Sequence, residues 1–288
     1  MKANIQNLKQ EYSSLKSSYL ERRIEIKREQ SEKLESLKDD YRVKRQEIKD
    51  PLKAERLKEK IEKRRIYQKL NEPPKRTTLE EIGNSVTHGL GSLLGIYFLV
   101  IMILASKSSL SVIASSIYGA CFILQMLFSC LYHSFPTGSK VKRIFRRFDY
   151  SSIYLQLAGT FTPLLLIYTT VKMNNEIVGV SLCITMWSLV TLGITMVSIF
   201  GPGRIRWLHY TLYFLLGWSG IVFLPYWIIN KDYFLLMYIL LGGVIYSLGM
   251  IPFGALRGRK VTHFIWHFVV LAGAIVQFVG IYLYVIPL

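Results

Sequence analysis

Two histidines, His263 and His267, lie four residues apart in the segment His-Phe-Ile-Trp-His. On a helix this spacing puts both imidazoles on one face about one turn apart, which is how a helix presents two ligands to one metal ion. Ser129 and His133 repeat the same spacing. An HxxxH pair alone is a weak signal because it recurs by chance in aromatic-rich helices. The pattern is therefore a metal-site hypothesis that the surrounding elements must support.

The elements that must position these residues are membrane helices. Residues 1–81 hold 23 of the 36 basic and 16 of the 19 acidic residues, so 82–288 hold only 13 and three. A segment of this length with so few charged residues has more apolar surface than a soluble globular protein can bury. Runs of about 20 apolar residues predict spans, and seven are present: 86–106, 110–133, 149–171, 177–199, 207–229, 233–253 and 263–286. We expect one antiparallel all-α bundle, with the first span acting as its own insertion signal.

Basic residues in the connections predict the orientation. Ten of them fall on one side: Lys140, Lys142, Arg143, Arg146, Arg147, Arg204, Arg206, Arg257, Arg259 and Lys260. The opposite connections hold only Lys107, Lys172 and Lys231. Because basic flanks stay cytoplasmic, we expect the N-terminus inside and the C-terminus outside or lumenal. Plasma and internal membranes fit equally.

All five histidines lie at or near the cytoplasmic ends of the predicted spans: His88, His133, His209, His263 and His267. Asp149 opens the third span at the same depth, whereas Glu176 and Asp232, the other acids after Glu81, fall on the opposite side. Ionisable groups at membrane depth are costly and usually face a polar site. Three histidines suit a zinc site that keeps one open position. His209, beside Trp207, is interpreted instead as an interfacial anchor.

The N-terminal segment, 1–75, is a separate unit from the membrane domain, 76–288. Apolar residues step by three and four between polar ones, which is typical of a coiled coil or a helical hairpin; they are Ile5, Leu8, Tyr12, Leu15, Tyr19, Leu34, Leu37, Tyr41 and Ile48. Asp50-Pro51 predicts a restart of the helix and Pro73-Pro74 its end. We expect a solvated cytoplasmic helix that self-associates, with contact to anionic lipid as the alternative. No motif supports nucleic-acid binding.

Five sequence blocks resemble the hemolysin III family, within the superfamily of progestin and adiponectin receptors, to which alkaline ceramidases are distantly similar. They occur in the family's order over about 79–288, and are 81–89 (EIGNSVTHG), 131–136 (LYHSFP), 148–154 (FDYSSIY), 158–163 (AGTFTP) and 263–267 (HFIWH). The resemblance implies that His133, His263 and His267 bind zinc (Zn²⁺), with Ser129 and Asp149 beside it. It also implies a membrane lipid as substrate or ligand.

A hydrolase of lipid amides is one hypothesis for these residues. Asp149 would move a proton between water and the leaving amine, and Ser129 would hydrogen-bond the water or a developing oxyanion. His88 is expected to support the ligands without binding metal. Glu81 matches a family block, but the segment Thr78-Leu79-Glu80-Glu81 predicts a capping box as its main role.

Two other readings remain open beside the hydrolase. Zinc would be structural in a receptor or scaffold, with Asp149 only orienting an imidazole. A cytolytic pore-former is the third reading, and it has the least support because no charged ring or polar stripe runs through the spans.

Three cysteines, Cys121, Cys130 and Cys183, lie inside the predicted spans and are interpreted as small apolar residues.

Overall fold

A computed structural model describes residues 2–49, 51–255 and 262–288. Every regular element in these residues is helical, which confirms the all-α prediction. The chain divides into two compact units, Met1–Lys69 and Leu70–Leu288. Four residues used in the predictions above, Asp50, Arg257, Arg259 and Lys260, lie outside the described residues.

The first unit consists of long polar helices. Helix α1 is Lys2–Lys49 and helix α2 is Pro51–Asn71. Proline suits the first turn of α2 because the amide it lacks would have no helical partner there. The predicted apolar seam of α1 is exposed to solvent at each described position: Leu8, Tyr12, Leu15, Tyr19, Leu34, Leu37 and Tyr41. Self-association through this seam stays a prediction.

Within its described residues, the second unit contains seven helical segments that are long and apolar enough to cross a membrane, which confirms the predicted number. They are α3 (Thr78–Ala105), α4 (Ser109–Ser134), α5 (Lys140–Pro163), α6 (Glu176–Phe200), α7 (Arg206–Trp218), α8 (Tyr233–Ala255) and α9 (Thr262–Tyr284). A π-helical turn, Leu164–Tyr168, and the segment Thr169–Val171 extend α5. A 3₁₀ turn, Ser219–Phe223, and the segment Leu224–Ile229 extend α7.

Described connections between these helices are three to five residues long, so neighbours in sequence run antiparallel. We call the end of the bundle at which α3, α5, α7 and α9 begin the histidine end; the connections 135–139 and 201–205 lie there. The other end, with the connections 106–108, 172–175 and 230–232, is the distal end.

Helices α3 and α5 begin eight to nine residues before their predicted spans, at Thr78 and Lys140. Polar caps start them outside the apolar run: the hydroxyl of Ser139 accepts from the amide of Lys142 at 3.1 Å. At α3 the capping box joins Thr77 to Glu80, so the predicted box of Thr78 and Glu81 is wrong by one residue. The carboxylate of Glu81 is therefore free to face the bundle.

The centre of the bundle is formed by α3, α4, α5 and α9. Rings of Phe98 and Phe278 stack with centroids 3.6 Å apart, joining α3 to α9. Gly159 of α5 has to be glycine because a Cβ there would lie 2.5 Å from the Cβ of Cys121 on α4. The three cysteines are free thiols, as expected for small residues inside spans.

Candidate metal centre and its cavities

Three histidines converge at the histidine end of the bundle. His133 comes from the last turn of α4, and His263 and His267 come from the first two turns of α9. The Nε2 atom of His263 lies 3.3 Å from that of His133 and 3.2 Å from that of His267. One ligand atom from each ring lies within 4.8 Å of the other two. We call these three residues the histidine triad.

The triad fits a tetrahedral metal ion. Two imidazole nitrogens that bind zinc at 2.0–2.1 Å with a tetrahedral angle would be about 3.3 Å apart. Two of the three triad separations match that value, at 3.2 and 3.3 Å. Two of the rings, His133 and His267, are buried. Neutral imidazoles alone leave a fourth ligand position open, which is the arrangement of catalytic rather than closed structural zinc sites.

The carboxylate of Glu81 orients His133 from behind. Its Oε2 lies 2.6 Å from Nδ1 of His133. Because a carboxylate only accepts, Nδ1 carries the hydrogen and Nε2 keeps its lone pair directed to the other two rings. The other carboxylate oxygen of Glu81 pairs at 3.0 Å with Nζ of Lys142, whose side chain is fully buried. Lys142 also donates to the carbonyl oxygen of Phe135 at 2.9 Å.

Two further residues of α3 face the triad. Asn84, three residues after Glu81, is fully buried, and its amide lies 3.3 Å from Nδ1 of His133. His88 packs on His267 with ring centroids 3.9 Å apart, and its Nε2 lies 3.3 Å from the carbonyl oxygen of His267. His88 therefore contacts a triad member, while the group that could hold a metal ion consists of His133, His263 and His267.

An internal cavity joins the triad to Ser129 and Asp149. His263, His267, Ser129 and Asp149 all line it, as does His88. Ser129 and Asp149 come from α4 and α5, so two neighbouring helices each bring one polar group to the cavity. Apolar and aromatic side chains from α5, α7, α8 and α9 form most of the remaining wall, among them Ile153, Leu157, Phe214, Trp218, Met250, Trp266 and Val270. The cavity thus combines polar groups at the triad with an apolar interior.

A second cavity contacts the triad at His133. His133 and Glu81 line it together with Arg76, Ser85 and Thr137. Since His133 lines this cavity and the other two triad members line the first, the triad contributes to both, and the second cavity also holds the charged groups of Arg76 and Glu81. This arrangement suits a molecule with a polar and an apolar part.

Asn71 and Glu72, at the start of the second unit, make hydrogen bonds and an ion pair at the histidine end. Asn71 donates to the carbonyl oxygen of Phe200 at 3.2 Å and accepts from the amide of Gly203 at 3.1 Å. Glu72 pairs with Arg143 at 3.2 Å, and its carbonyl oxygen accepts from Arg146 at 3.0 Å. Arg143 and Arg146, which were used to predict the orientation, therefore also make structural contacts at the histidine end.

His209 is not an interfacial anchor, so that interpretation is wrong. Its side chain is fully buried, and Nδ1 lies 2.9 Å from the hydroxyl oxygen of Tyr154. The exposed aromatic residue at this point is Trp207, because successive positions of a helix face different directions. His209 belongs to a separate polar contact between α5 and α7.

Several interior residues were missed by sequence reasoning. Lys142 was counted only as a loop charge, and Gln125, Gln156 and Gln277, which are buried and line the first cavity, were not singled out. A signal was available, because Gln125, Ser129 and His133 recur every four residues on one face of α4.

Fold and site together define a multi-pass integral membrane protein with a histidine triad at one end of its bundle. A family model described as "Haemolysin-III related" matches residues 76–278. Hemolysin-3 of Bacillus cereus is 36% identical over 211 residues, covering 72% of this chain and 93% of that protein. Hemolysin-3 homolog of Bacillus subtilis (strain 168) is 35% identical over 213 residues, covering 72% and 95%. The chain belongs to the haemolysin-III related family, which confirms the resemblance.

Proposed function

We propose that this protein is a zinc-dependent hydrolase of lipid amides. The observation that carries the proposal is the shared cavity, in which Ser129, Asp149 and two triad histidines face one largely apolar chamber. A purely structural metal site needs neither a carboxyl group nor an apolar chamber beside it.

Zinc is the metal that we propose for the triad, held by His133, His263 and His267. Bound zinc would supply Lewis acidity toward a carbonyl oxygen and activate water for attack. Support for this choice comes from three neutral imidazoles at the separations given above and from the Glu81 carboxylate on Nδ1 of His133.

Asp149 is the proposed general base and acid. Its carboxyl would accept a proton from the attacking water and deliver it to the amine nitrogen as the carbon–nitrogen bond breaks. Ser129 lines the same cavity, and its hydroxyl would hydrogen-bond the attacking water or the developing oxyanion. Products are a fatty acid and an amine, so atoms and charge balance with one water consumed.

The lipid would occupy both cavities. Its acyl chain suits the wall of Leu157, Phe214 and Val270, and its polar part suits the opening beside Arg76 and Ser85. The substrate carbonyl would then lie at the triad, between the two. A membrane lipid is therefore the partner that we propose.

The histidine end is the proposed cytoplasmic end. Lys140, Arg147 and Arg204 at this end, together with the basic N-terminal segment, support that orientation. The N-terminus would be cytoplasmic and the C-terminus outside or lumenal, with the exposed seam of α1 pairing with a second copy. Labelling of single cysteines added to the connections 135–139 and 230–232 in sealed vesicles tests the orientation.

The direct test assays zinc content and fatty-acid release from a short-chain ceramide on the same purified samples. We expect one zinc per chain in wild type, and Asp149→Asn should keep it while losing about 10²–10⁴-fold in turnover. Asp232→Asn is the matched control, because it alters a carboxylate at the distal end and should leave turnover unchanged.

The relatives are named hemolysins, so a cytolytic or receptor role with structural zinc is the competing function. Zinc without turnover of any lipid amide or ester would favour that function and contradict ours. Wild-type protein that binds no metal would contradict both versions of the site.

A further inference from the structure

Polar side chains continue from the triad into the apolar chamber. Gln125 lies one turn before Ser129 on α4, and Gln156 lies two turns after Asp149 on α5. Thr160 follows one turn later, and Gln277 of α9 completes the set. By the rise of a helix, Gln156 is about 10 Å further along α5 than Asp149. We call these four residues the deep polar cluster.

Two acceptors in the deep polar cluster lack a partner. Gln125 is 4% exposed and Gln156 is 6% exposed, and the Oε1 atom of each has no hydrogen-bond partner within the described residues. The amide nitrogen of Gln156 is used, donating to Thr160 Oγ1 at 3.2 Å. Buried amide oxygens without a donor are costly, and in a membrane interior the chain has no bulk water to supply one.

The close approach of α8 keeps the third glutamine at the chamber. A Cβ on Gly242 would lie 2.3 Å from Cγ of Gln277, so glycine lets α8 pack directly over that side chain. Glutamines on three helices therefore line one chamber whose other walls are mostly apolar. The amide oxygens of these glutamines can accept hydrogen bonds from donor groups on a ligand.

We propose that the deep polar cluster is a second binding subsite, which recognises a hydroxyl group within the chain of the bound lipid. The inference rests on the proposed function only in taking the chamber to be the lipid site. A mid-chain hydroxyl would donate to Gln125 or Gln156 and accept from an amide, which an unsubstituted acyl chain cannot do. The preferred ligand class is a hydroxylated acyl or alkyl lipid.

A metal cation is a poorer occupant of this subsite. Among the described residues lining the chamber, Asp149 is the one acid, and it lies at the triad. Neutral amides alone leave a cation's charge uncompensated in a chamber with apolar walls. Trapped water would also satisfy the two oxygens, and the experiment separates it from a hydroxylated ligand.

Binding of stearic acid and of its singly hydroxylated isomers to the full chain in detergent micelles tests the proposal. The hydroxyl is moved stepwise along the chain, and affinities are measured by calorimetry. We expect one mid-chain position to bind about tenfold more tightly than stearic acid. Fatty acids contain no bond to hydrolyse, so the result does not depend on turnover.

Variants locate the effect. Gln125→Leu combined with Gln156→Leu should reduce the preference to near unity, while Gln68→Leu, at an exposed glutamine of α2, should keep it. If every hydroxylated isomer binds no better than stearic acid to wild type, the cluster holds only water and the proposal fails, whatever the variants do. A preference that survives the combined variant would also overturn it. A clear preference without ceramide turnover would uphold the subsite and count against the hydrolase.

Discussion

Among the described residues, each end of the bundle holds one carboxylate paired with one lysine, and the two pairs differ in burial. At the histidine end, Glu81 and Lys142 are 3.0 Å apart with side chains 12% and 0% exposed. At the distal end, Asp232 and Lys172 are 3.3 Å apart with side chains 21% and 34% exposed. The pair of Asp232 and Lys172 is thus partly exposed to solvent, whereas the pair of Glu81 and Lys142 is almost fully buried.

What each carboxylate contacts explains the difference. Asp232 accepts from the hydroxyl of Tyr168, a neutral donor, at 2.9 Å. Its ion pair with Lys172 joins the two connections 230–232 and 172–175 of the distal end. Glu81 instead faces His133. Burying a charge costs several kcal/mol unless it is paired, and at this end the buried charge contacts His133, one of the three proposed metal ligands. The nitrogen–oxygen distances of the two pairs are similar. The pairs differ in the groups that surround each carboxylate.

The largest effect should come from removing a ligand at the histidine end. His267→Ala deletes one of three imidazoles, and we expect metal analysis of the purified protein to find no zinc. His209→Ala is the matched control, because it removes an equally buried histidine that contacts Tyr154 instead. It should keep zinc and lose about 1–3 kcal/mol of stability, since a buried hydroxyl loses its partner. Equal zinc loss in both variants would mean that general unfolding is responsible.

Removing Lys142 should affect stability more than metal binding. Lys142→Met leaves the Glu81 carboxylate buried without its cation, which costs about 3–5 kcal/mol in pairs of this kind. Zinc affinity should not fall, because an unpaired carboxylate is a stronger acceptor for the Nδ1 hydrogen of His133. Unfolding in mixed micelles and zinc titration with a competing chelator measure the two quantities separately.

The double variant sharpens this prediction. Glu81→Gln with Lys142→Met removes both charges, and we expect it to recover most of the stability that Lys142→Met loses. If the two losses add instead, the ion pair has no role in the stability of the histidine end.

Glu81→Gln should produce an intermediate effect that is specific to the metal. The amide still fills the space, but its interaction with Nδ1 of His133 is weaker and no longer fixes the tautomer. Losing such a partner typically costs 10–100-fold in metal affinity, or about 1.4–2.8 kcal/mol. Chelator competition measures it, with Glu80→Gln as the control because Glu80 caps α3 at Thr77. Unchanged affinity would show that Glu81 only balances Lys142.

Seven spans and their order were predictable because each is an apolar run long enough to cross a bilayer, and length and hydropathy are properties of sequence alone. The starts of α3 and α5 were not, since a few polar caps decide them. Without those extra turns, the sequence pattern makes Glu81 a helix cap and places Lys142 in a loop. Both errors follow from one cause: the first turns of these helices are polar while already belonging to the bundle.

The triad itself was predictable in part. Spacing on α9 paired His263 with His267, but joining them to His133 on α4 required the resemblance, because helix packing is not encoded in spacing. The burial of His209 and of the deep polar cluster was missed for the same reason. A polar residue in a span is identified by sequence, but the surface that it faces depends on how helices rotate against each other.

The smallest effect should come from the distal pair. Asp232→Asn removes the charge but keeps the size of the side chain, and its amide oxygen still accepts from Tyr168. Because both side chains of this pair are partly exposed, we expect a stability loss of about 0–1 kcal/mol and no change in zinc affinity. The same unfolding and chelator assays apply. A metal defect in this variant would break the contrast between the two ends, because it would mean that a carboxylate at the distal end acts on the histidine triad through the whole length of the bundle.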